Sequence, residues 1–322
     1  MRKSINPQTV SYILVSYNGG DYLFSCLKSI ERQVGNKEII VVDNASTDGT
    51  ASRLSNYKNI KLIKLNSNVG VAGGWNIGSK LASGNIYIFI TQDVVIDVGF
   101  QSEIEKTYVE NNDVGVIGAL LLYPGRRRIQ HAGGILIRPR CTTKHIGYNE
   151  IYKKSKFSTY TILDQDYITG AVLACKSNIF IALNGFDIGY FPAYYEDVDF
   201  CFRAKKMGWR IIVNLKAVGC HKESLTFGVG SKRFLQMYTR NRYFFIFKNL
   251  DKSIIEKKFL NSEVDWIRSL SSESQKDFLG WLTDVILPDL ISAYIKQPDR
   301  VKAKYVKKTI MQIVNQASRE MK

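Results

Sequence analysis

The chain has 322 residues, of which 45% are apolar and 23% charged, the balance of a soluble globular protein with room for one large α/β domain and an appendage. No stretch reaches the ~18 uninterrupted apolar residues of a membrane span, so membrane contact is expected to be peripheral. The net charge of +16 implies attraction to polyanions: nucleic acid, an anionic membrane surface or phosphorylated small molecules.

Arg2 and Lys3 make the N-terminus basic, but polar residues follow, and Val10 to Val15 reads as a first strand and not as a signal peptide. Tyr22 to Glu31 carries Leu23, Cys26, Leu27 and Ile30 at i, i+3, i+4, i+7, the spacing of an amphipathic helix. A second apolar strand, Glu38 to Val42, stops at Asp43. A polar loop holding Asp48 leads from there to a short helix over Thr50 to Asn56. Ile60 to Leu65 predicts a third strand and Gly74 to Leu81 a helix. This β-α alternation argues for a parallel, doubly wound sheet.

The run Ile86 to Ile90 predicts a fourth, buried strand that breaks off in Thr91, Gln92 and Asp93. In open α/β sheets ligands gather outside the carboxyl ends of the strands, so Asp43 and Asp93 should open onto one crevice. Asp93 is a candidate metal ligand there, although an aspartate after a strand also closes turns and caps helices. The loop Asn66 to Gly78 holds Gly70, Gly73, Gly74 and Gly78, which either let backbone amides approach a phosphate or let a helix pack tightly. It contains neither a G-x-G-x-x-G fingerprint nor a Walker loop.

Val114 to Leu122 predicts another strand. Arg126 to Arg128 and the group Lys153, Lys154 and Lys156 read as solvated basic loops. His131, in QHAGG, reads from the residues alone as a hydrogen-bonded structural histidine. Tyr167 to Ala174 is a candidate buried strand. In Gly185 to Gly208 five aromatic residues precede Glu196, Asp197 and Asp199 at the start of a helix ending near Met207. A helix N-terminus favours acids, and Asp199 with Arg203 forms an i, i+4 pair. Three acids within four positions still crowd like charges in the way functional sites do. Arg210 to Val213 and Ala217 to Cys220 read as two short strands, with His221 after the second.

From about residue 232 the texture becomes helical: Phe234 to Lys248 is dense in aromatics and arginines, and amphipathic patterns follow over Val264 to Leu270, Lys276 to Ile286 and Val301 to Ala317. Lys296, Lys302, Lys304, Lys307 and Lys308 form either an interfacial surface for anionic lipid or a solvated face. The five cysteines include no C-x-x-C pair, which favours reduced core residues and a cytoplasmic location.

Taken in order, VSYNGGDYLFSCLKSI, VVDNASTDGT, NVGVAGGWNIG, TQD, TGA and YYEDVDFCFR with a later histidine resemble the inverting family 2 glycosyltransferases, over roughly residues 10 to 225, and most of all the bacterial rhamnosyltransferase branch. The resemblance implies a GT-A fold, α/β and Rossmann-like, with a mostly parallel central sheet flanked by helices and a C-terminal α-helical extension. The implied domains are 1–235, split into a nucleotide-binding half 1–95 and an acceptor-binding half 96–235, and a helical region 236–322. Donor contacts are expected at Ser16, Tyr17, Asn18, Asp43, Asn68, Gly70, Gly74, Asn76, Gln92 and Asp93. Acceptor contacts are expected at Tyr194, Tyr195, Glu196 and His131. Asp197 matches the family's general base, and Asp93 with His221 matches a site for Mg²⁺ or Mn²⁺.

Thr91 and Gln92 stand where the family's D-x-D motif has its first two positions, so a single motif acid remains. Magnesium needs few protein ligands when phosphate oxygens and water supply the rest. The implied partners are a nucleotide-sugar donor, dTDP-rhamnose first and a UDP-sugar second, and a glycan acceptor on a lipid carrier at the inner face of the cytoplasmic membrane. Pairing of two chains through the C-terminal helices is a further expectation, and nucleic acid is not expected as a partner. Two other readings stay open: a basic nucleic-acid or polyanion-binding module, which predicts salt-steep affinity, and a donor-binding transferase without turnover.

Overall fold

Strands β1 (Val10–Ser16), β2 (Lys37–Asp43), β3 (Lys61–Lys64) and β4 (Ile86–Thr91) lie side by side in the order β3-β2-β1-β4, every pair parallel. The computed structural model describes residues 9–153, 162–222, 231–296 and 300–319. All of β1 is buried, as both faces of a parallel sheet are covered by its crossovers. Helix α1 (Gly20–Glu31) buries the expected set Leu23, Cys26, Leu27 and Ile30. After α2 (Thr50–Ser55), helix α3 (Gly70–Ser79) runs so close to β1 that a Cβ on Gly74 would lie 2.6 Å from Val15 Cγ2, and one on Gly78 2.7 Å from Ile13 Cγ2.

The sheet then changes character. After β5 (Val94–Ile96) and α4 (Phe100–Glu110) come β6 (Val114–Leu122), β7 (Ile129–His131), β8 (Gly134–Ile137), β9 (Thr142–His145), β10 (Ile162–Asp164) and β11 (Val172–Lys176). Helices α5 (Ser177–Ala182) and α6 (Glu196–Lys206) and strand β12 (Arg210–His221) follow. The ten-stranded sheet runs β10-β12-β6-β11-β4-β1-β2-β3, with β5 on β12 and β7 on β6, while β8 and β9 form a separate pair.

Strand β11 lies antiparallel between β4 and β6, so the mostly parallel central sheet is interrupted by one reversed strand. The reason is connectivity: the chain returns from the β7–β10 excursion at the carboxyl end of β4 and runs back along it. Strand β11 therefore begins at Val172, and residues 167–171 form the approach to it. Strand β12 is continuous where two strands were expected, with an irregularity between Asn214 and Val218.

The chain divides into two compact units, one holding the described residues up to 135 and from 144 to 222, the other holding 136–143 and the described residues from 231 onward. The second unit is helical. Its helix α7 (Lys232–Asn249) is capped by the Ser231 hydroxyl, which accepts from Phe234 N. Inside it the Glu263 carboxylate, fully buried, accepts from Arg140, Arg242 and Tyr243. Burial alone would raise its pKa, but the two guanidiniums hold it below the ordinary value. The helical run Ser272–Ile295 is long and apolar enough to cross a membrane by length and composition. Its Phe278, Leu279, Leu282, Ile286 and Leu290 are nevertheless buried in the unit, and its exposed positions include Glu273, Asp277, Asp284 and Asp289.

Candidate functional site

Three connections bring distant acids to the carboxyl edge of β1, β2 and β4. Ser16 and Asp43 end β1 and β2 opposite one another. Gln92, just past β4, is tied to β1: its Oε1 accepts from Ser16 Oγ at 2.8 Å and from Tyr17 N at 3.0 Å, and its Nε2 donates to Tyr17 O. Thr91 N donates to Ala171 O, which sets the 170–171 approach beside the end of β4.

Asp93 meets His221 because β5 pairs antiparallel with the end of β12, with His221 opposite Val94. His221 Nε2 is 3.3 Å from Asp93 Oδ1, and the two side chains are 14% and 10% exposed. Burial works to raise the Asp93 pKa, but the adjacent imidazole holds it below the ordinary carboxylate value. Among the described residues no group of three or more His, Cys, Asp or Glu side chains could hold a metal ion. An imidazole nitrogen beside one carboxylate is a donor set that Mg²⁺ or Mn²⁺ accepts when diphosphate oxygens and water complete the coordination. Asp93 and His221 fit that role.

Asp197 stands in the first turn of α6, anchored at both oxygens: Oδ2 accepts from Gly170 N at 2.7 Å and Oδ1 from Val198 N at 2.8 Å. Burial pushes its carboxyl up to about 6, against the pull of those two amides. Its neighbour Glu196 is 5% exposed, and Oε2 has no hydrogen-bond partner among the described residues. Burial, and then the charge of Asp197, lift Glu196 well above the ordinary carboxylate value. The backbone leading into this pair is strained. Tyr194 and Tyr195 sit at φ 78° and 70°, the left-handed region that costs a non-glycine residue about 1–2 kcal/mol.

Residues 11–171 match the description Glycosyl transferase family 2. The chain belongs to that family. Among relatives of this family 2 chain, an uncharacterized glycosyltransferase of Haemophilus influenzae is 37% identical over 115 residues, 34% of this chain and 35% of that protein. The rhamnosyltransferase WbbL of Escherichia coli K12 is 24% identical over 63% of this chain and 79% of its own. Among solved structures, GalNAc-T7 with UDP, GalNAc and Mn²⁺ superposes with a TM-score of 0.61 at 16% identity, covering 90% of this chain and 58% of that one. The architecture is thus the GT-A fold, with helices following it.

In the family 2 chain several of the expected residues at this edge are also held by framework contacts. Asn76 spends its amide on the backbone of Phe186, accepting from the N–H at 2.9 Å and donating to the C=O at 2.7 Å, so its polar atoms are not turned to a donor. Gly74 is accounted for by the contact of α3 with β1. At Gly70 (φ 76°) a Cβ would lie 2.8 Å from Pro192 O, so this glycine serves a close backbone approach. Of the expected acceptor contacts, Tyr195 and Glu196 are 2% and 5% exposed, His131 is fully buried and Tyr194 is half-buried. Asp199 is structural: Tyr190 Oη and Arg203 Nε both donate to it.

Asp43 is 2% exposed, and its Oδ1 has no hydrogen-bond partner among the described residues. Asn18 organises the loop opposite, its Oδ1 accepting from Thr47 N at 2.7 Å. Sequence reasoning missed Asn44, whose amide joins the end of β2 to the glycine loop by accepting from Val69 N and donating to Asn68 Oδ1 and Gly70 O. Its place directly after the strand-ending Asp43 was the available signal. Lys154 and Lys156 of the expected basic loop lie outside the described residues.

Proposed function

We propose that this chain is an inverting glycosyltransferase that moves a sugar from a nucleoside-diphosphate sugar to a hydroxyl of a cell-surface glycan. The observation that supports this reading is the tether running from Asp197 through Gly170 and Ala171 to Thr91, since it sets a carboxylate of raised pKa at the strand end that carries Asp93 and His221. Asp197 acts as the base: with a pKa near 6 it is ionised at neutral pH and takes the proton of the acceptor hydroxyl as that oxygen attacks the far face of the anomeric carbon. A single displacement inverts the centre, and no nucleophilic carboxylate is required. The orphaned Asp43 Oδ1 accepts from the pyrimidine base of the donor, and Ser16, Tyr17, Asn18 and Asn68 border the same edge. Asp93 and His221 would hold Mg²⁺ or Mn²⁺, and the bound cation would supply positive charge against the diphosphate leaving group.

Rhamnose is the preferred sugar, on the likeness to WbbL, with a UDP-sugar second. A lipid-carried acceptor suits the helix Arg300–Ser318, which has five basic residues and no acid and exposes Lys304, Lys307 and Lys308. Thermal unfolding against dTDP-rhamnose, UDP-glucose and UDP-galactose, with Mn²⁺ or with chelator, tests the assignment. A true donor raises the midpoint with the logarithm of its concentration, and only with metal. If none of the nucleotide sugars shifts the midpoint, the assignment is overturned.

A further inference from the structure

The two ring nitrogens of His221 have different partners. Nδ1 lies 2.8 Å from Gln130 Oε1, whereas Nε2 lies 3.3 Å from Asp93 Oδ1. An amide oxygen can only accept, so Nδ1 must carry the hydrogen of that bond. A neutral imidazole with its hydrogen on Nδ1 keeps a lone pair on Nε2. In that tautomer Nε2 and the carboxylate are two acceptors facing one another, satisfied either by a proton shared between them or by a divalent cation that takes its place.

Gln130 is well placed to impose this. It sits on β7, 2% exposed, and β7 is bound to β6, which runs parallel to β12 with Leu122 opposite Cys220. Its side-chain Nε2 has no hydrogen-bond partner among the described residues. A methionine would fill much the same volume without stranding a buried donor. Packing alone therefore does not account for a glutamine here, and the bond to His221 does.

We propose that Gln130 is a positioning residue that fixes His221 in its Nδ1–H tautomer, so that Nε2 and the Asp93 carboxylate together present a site to a divalent cation. This rests on the metal reading given above. Gln130 touches neither donor nor acceptor, and acts only through the imidazole.

The test is the affinity for Mn²⁺, followed by electron paramagnetic resonance of the free ion, with UDP and separately with dTDP present. It compares the whole chain with Gln130→Met, Gln130→Glu, Asp93→Asn and His221→Ala. Outer-shell partners of metal-bound histidines are worth about 10–100-fold in affinity. Gln130→Met should lose that much, and Gln130→Glu, which keeps an acceptor beside Nδ1, should hold the wild-type value. If Asp93→Asn and His221→Ala lose Mn²⁺ while Gln130→Met binds as wild type, the role of Gln130 is overturned and the metal reading stands. Equal loss in Gln130→Met and Gln130→Glu also overturns it, since the acceptor then does not matter. If Mn²⁺ binding is absent from the wild type or unchanged in all four variants, the metal reading falls, and this inference with it.

Should Gln130→Met fail to fold, the wild-type chain still decides. With only three histidines, the ¹⁵N shifts of His221 are assigned by comparison with His221→Ala in Mg²⁺ and UDP. A hydrogen on Nδ1 supports the proposal, and one on Nε2 overturns it.

Discussion

Replacing Asp197 by asparagine keeps the side-chain volume and removes its charge, and two opposing consequences for stability follow. In the folded chain burial holds the carboxyl at about 6, whereas an unfolded aspartate titrates near 3.9, so the ionised group costs roughly 3 kcal/mol at pH 8, less what solvent at its open edge screens. The sign is set by the folded state binding the proton more tightly. The cost is absent below about pH 4, grows as the pH rises to 6 and is complete above that. Asparagine escapes it. Asparagine also has one acceptor oxygen where the carboxylate uses two, so either Gly170 N–H or Val198 N–H faces an amide NH₂, at a cost of about 1–3 kcal/mol. At pH 8 the two effects nearly cancel, while at pH 3.5 little but the lost bond remains. Urea unfolding should therefore find Asp197→Asn close to wild type at pH 8 and about 1–3 kcal/mol weaker at pH 3.5. Sugar transfer should fall by about 10²–10⁴, with donor binding retained. The same stability difference at both pH values, or transfer within tenfold of wild type, would refute the reasoning.

For the wild type, log(kcat/KM) should climb by one per pH unit and level off near pH 6, because the base must lose its proton first; a level profile down to pH 5 counts against Asp197. Asp43→Ala removes a buried carboxylate with an unpartnered oxygen, so calorimetry with UDP or dTDP should show affinity weakened by about 10–100-fold with no loss of thermal stability. Gly74→Ala should destabilise by about 1–3 kcal/mol despite better helix propensity, since its Cβ would press on Val15 in a packed interior; a raised melting temperature contradicts this. Asn76→Ala should cost about 1–3 kcal/mol of stability through the two Phe186 bonds and leave the donor KM unchanged, and a selective rise in that KM would return Asn76 to the donor site.

The nucleotide-side strands were legible because their signal is local. Buried parallel strands such as β1 and β4 read as apolar runs, and each run ends where the chain turns, which exposed Asp43 and Asp93 at once. The helix α6 was legible from its acidic first turn, its Asp199–Arg203 pair and the closing Gly208. The reversed strand β11 was not, since an apolar stretch carries no mark of its direction. Nor could the sequence separate glycines that admit a phosphate from glycines that admit a neighbouring strand, because both look alike until the distance from Gly74 to Val15 is known. Asn76 looked like a polar residue in a ligand loop, and its engagement with Phe186, 110 positions away, is a tertiary fact.

Composition, periodicity and motif order by themselves determined an α/β chain with acids at strand ends, a helical tail and membership of a glycosyltransferase family. Only the tertiary structure decided which of those acids and histidines meet. Asp93 just before β5, His221 on β12 and Gln130 on β7 converge through the register of strands far apart in sequence, and Asp197 reaches the edge through the amide of Gly170. Strand register and side-chain direction are fixed by packing the whole sheet at once, and no short segment contains that information.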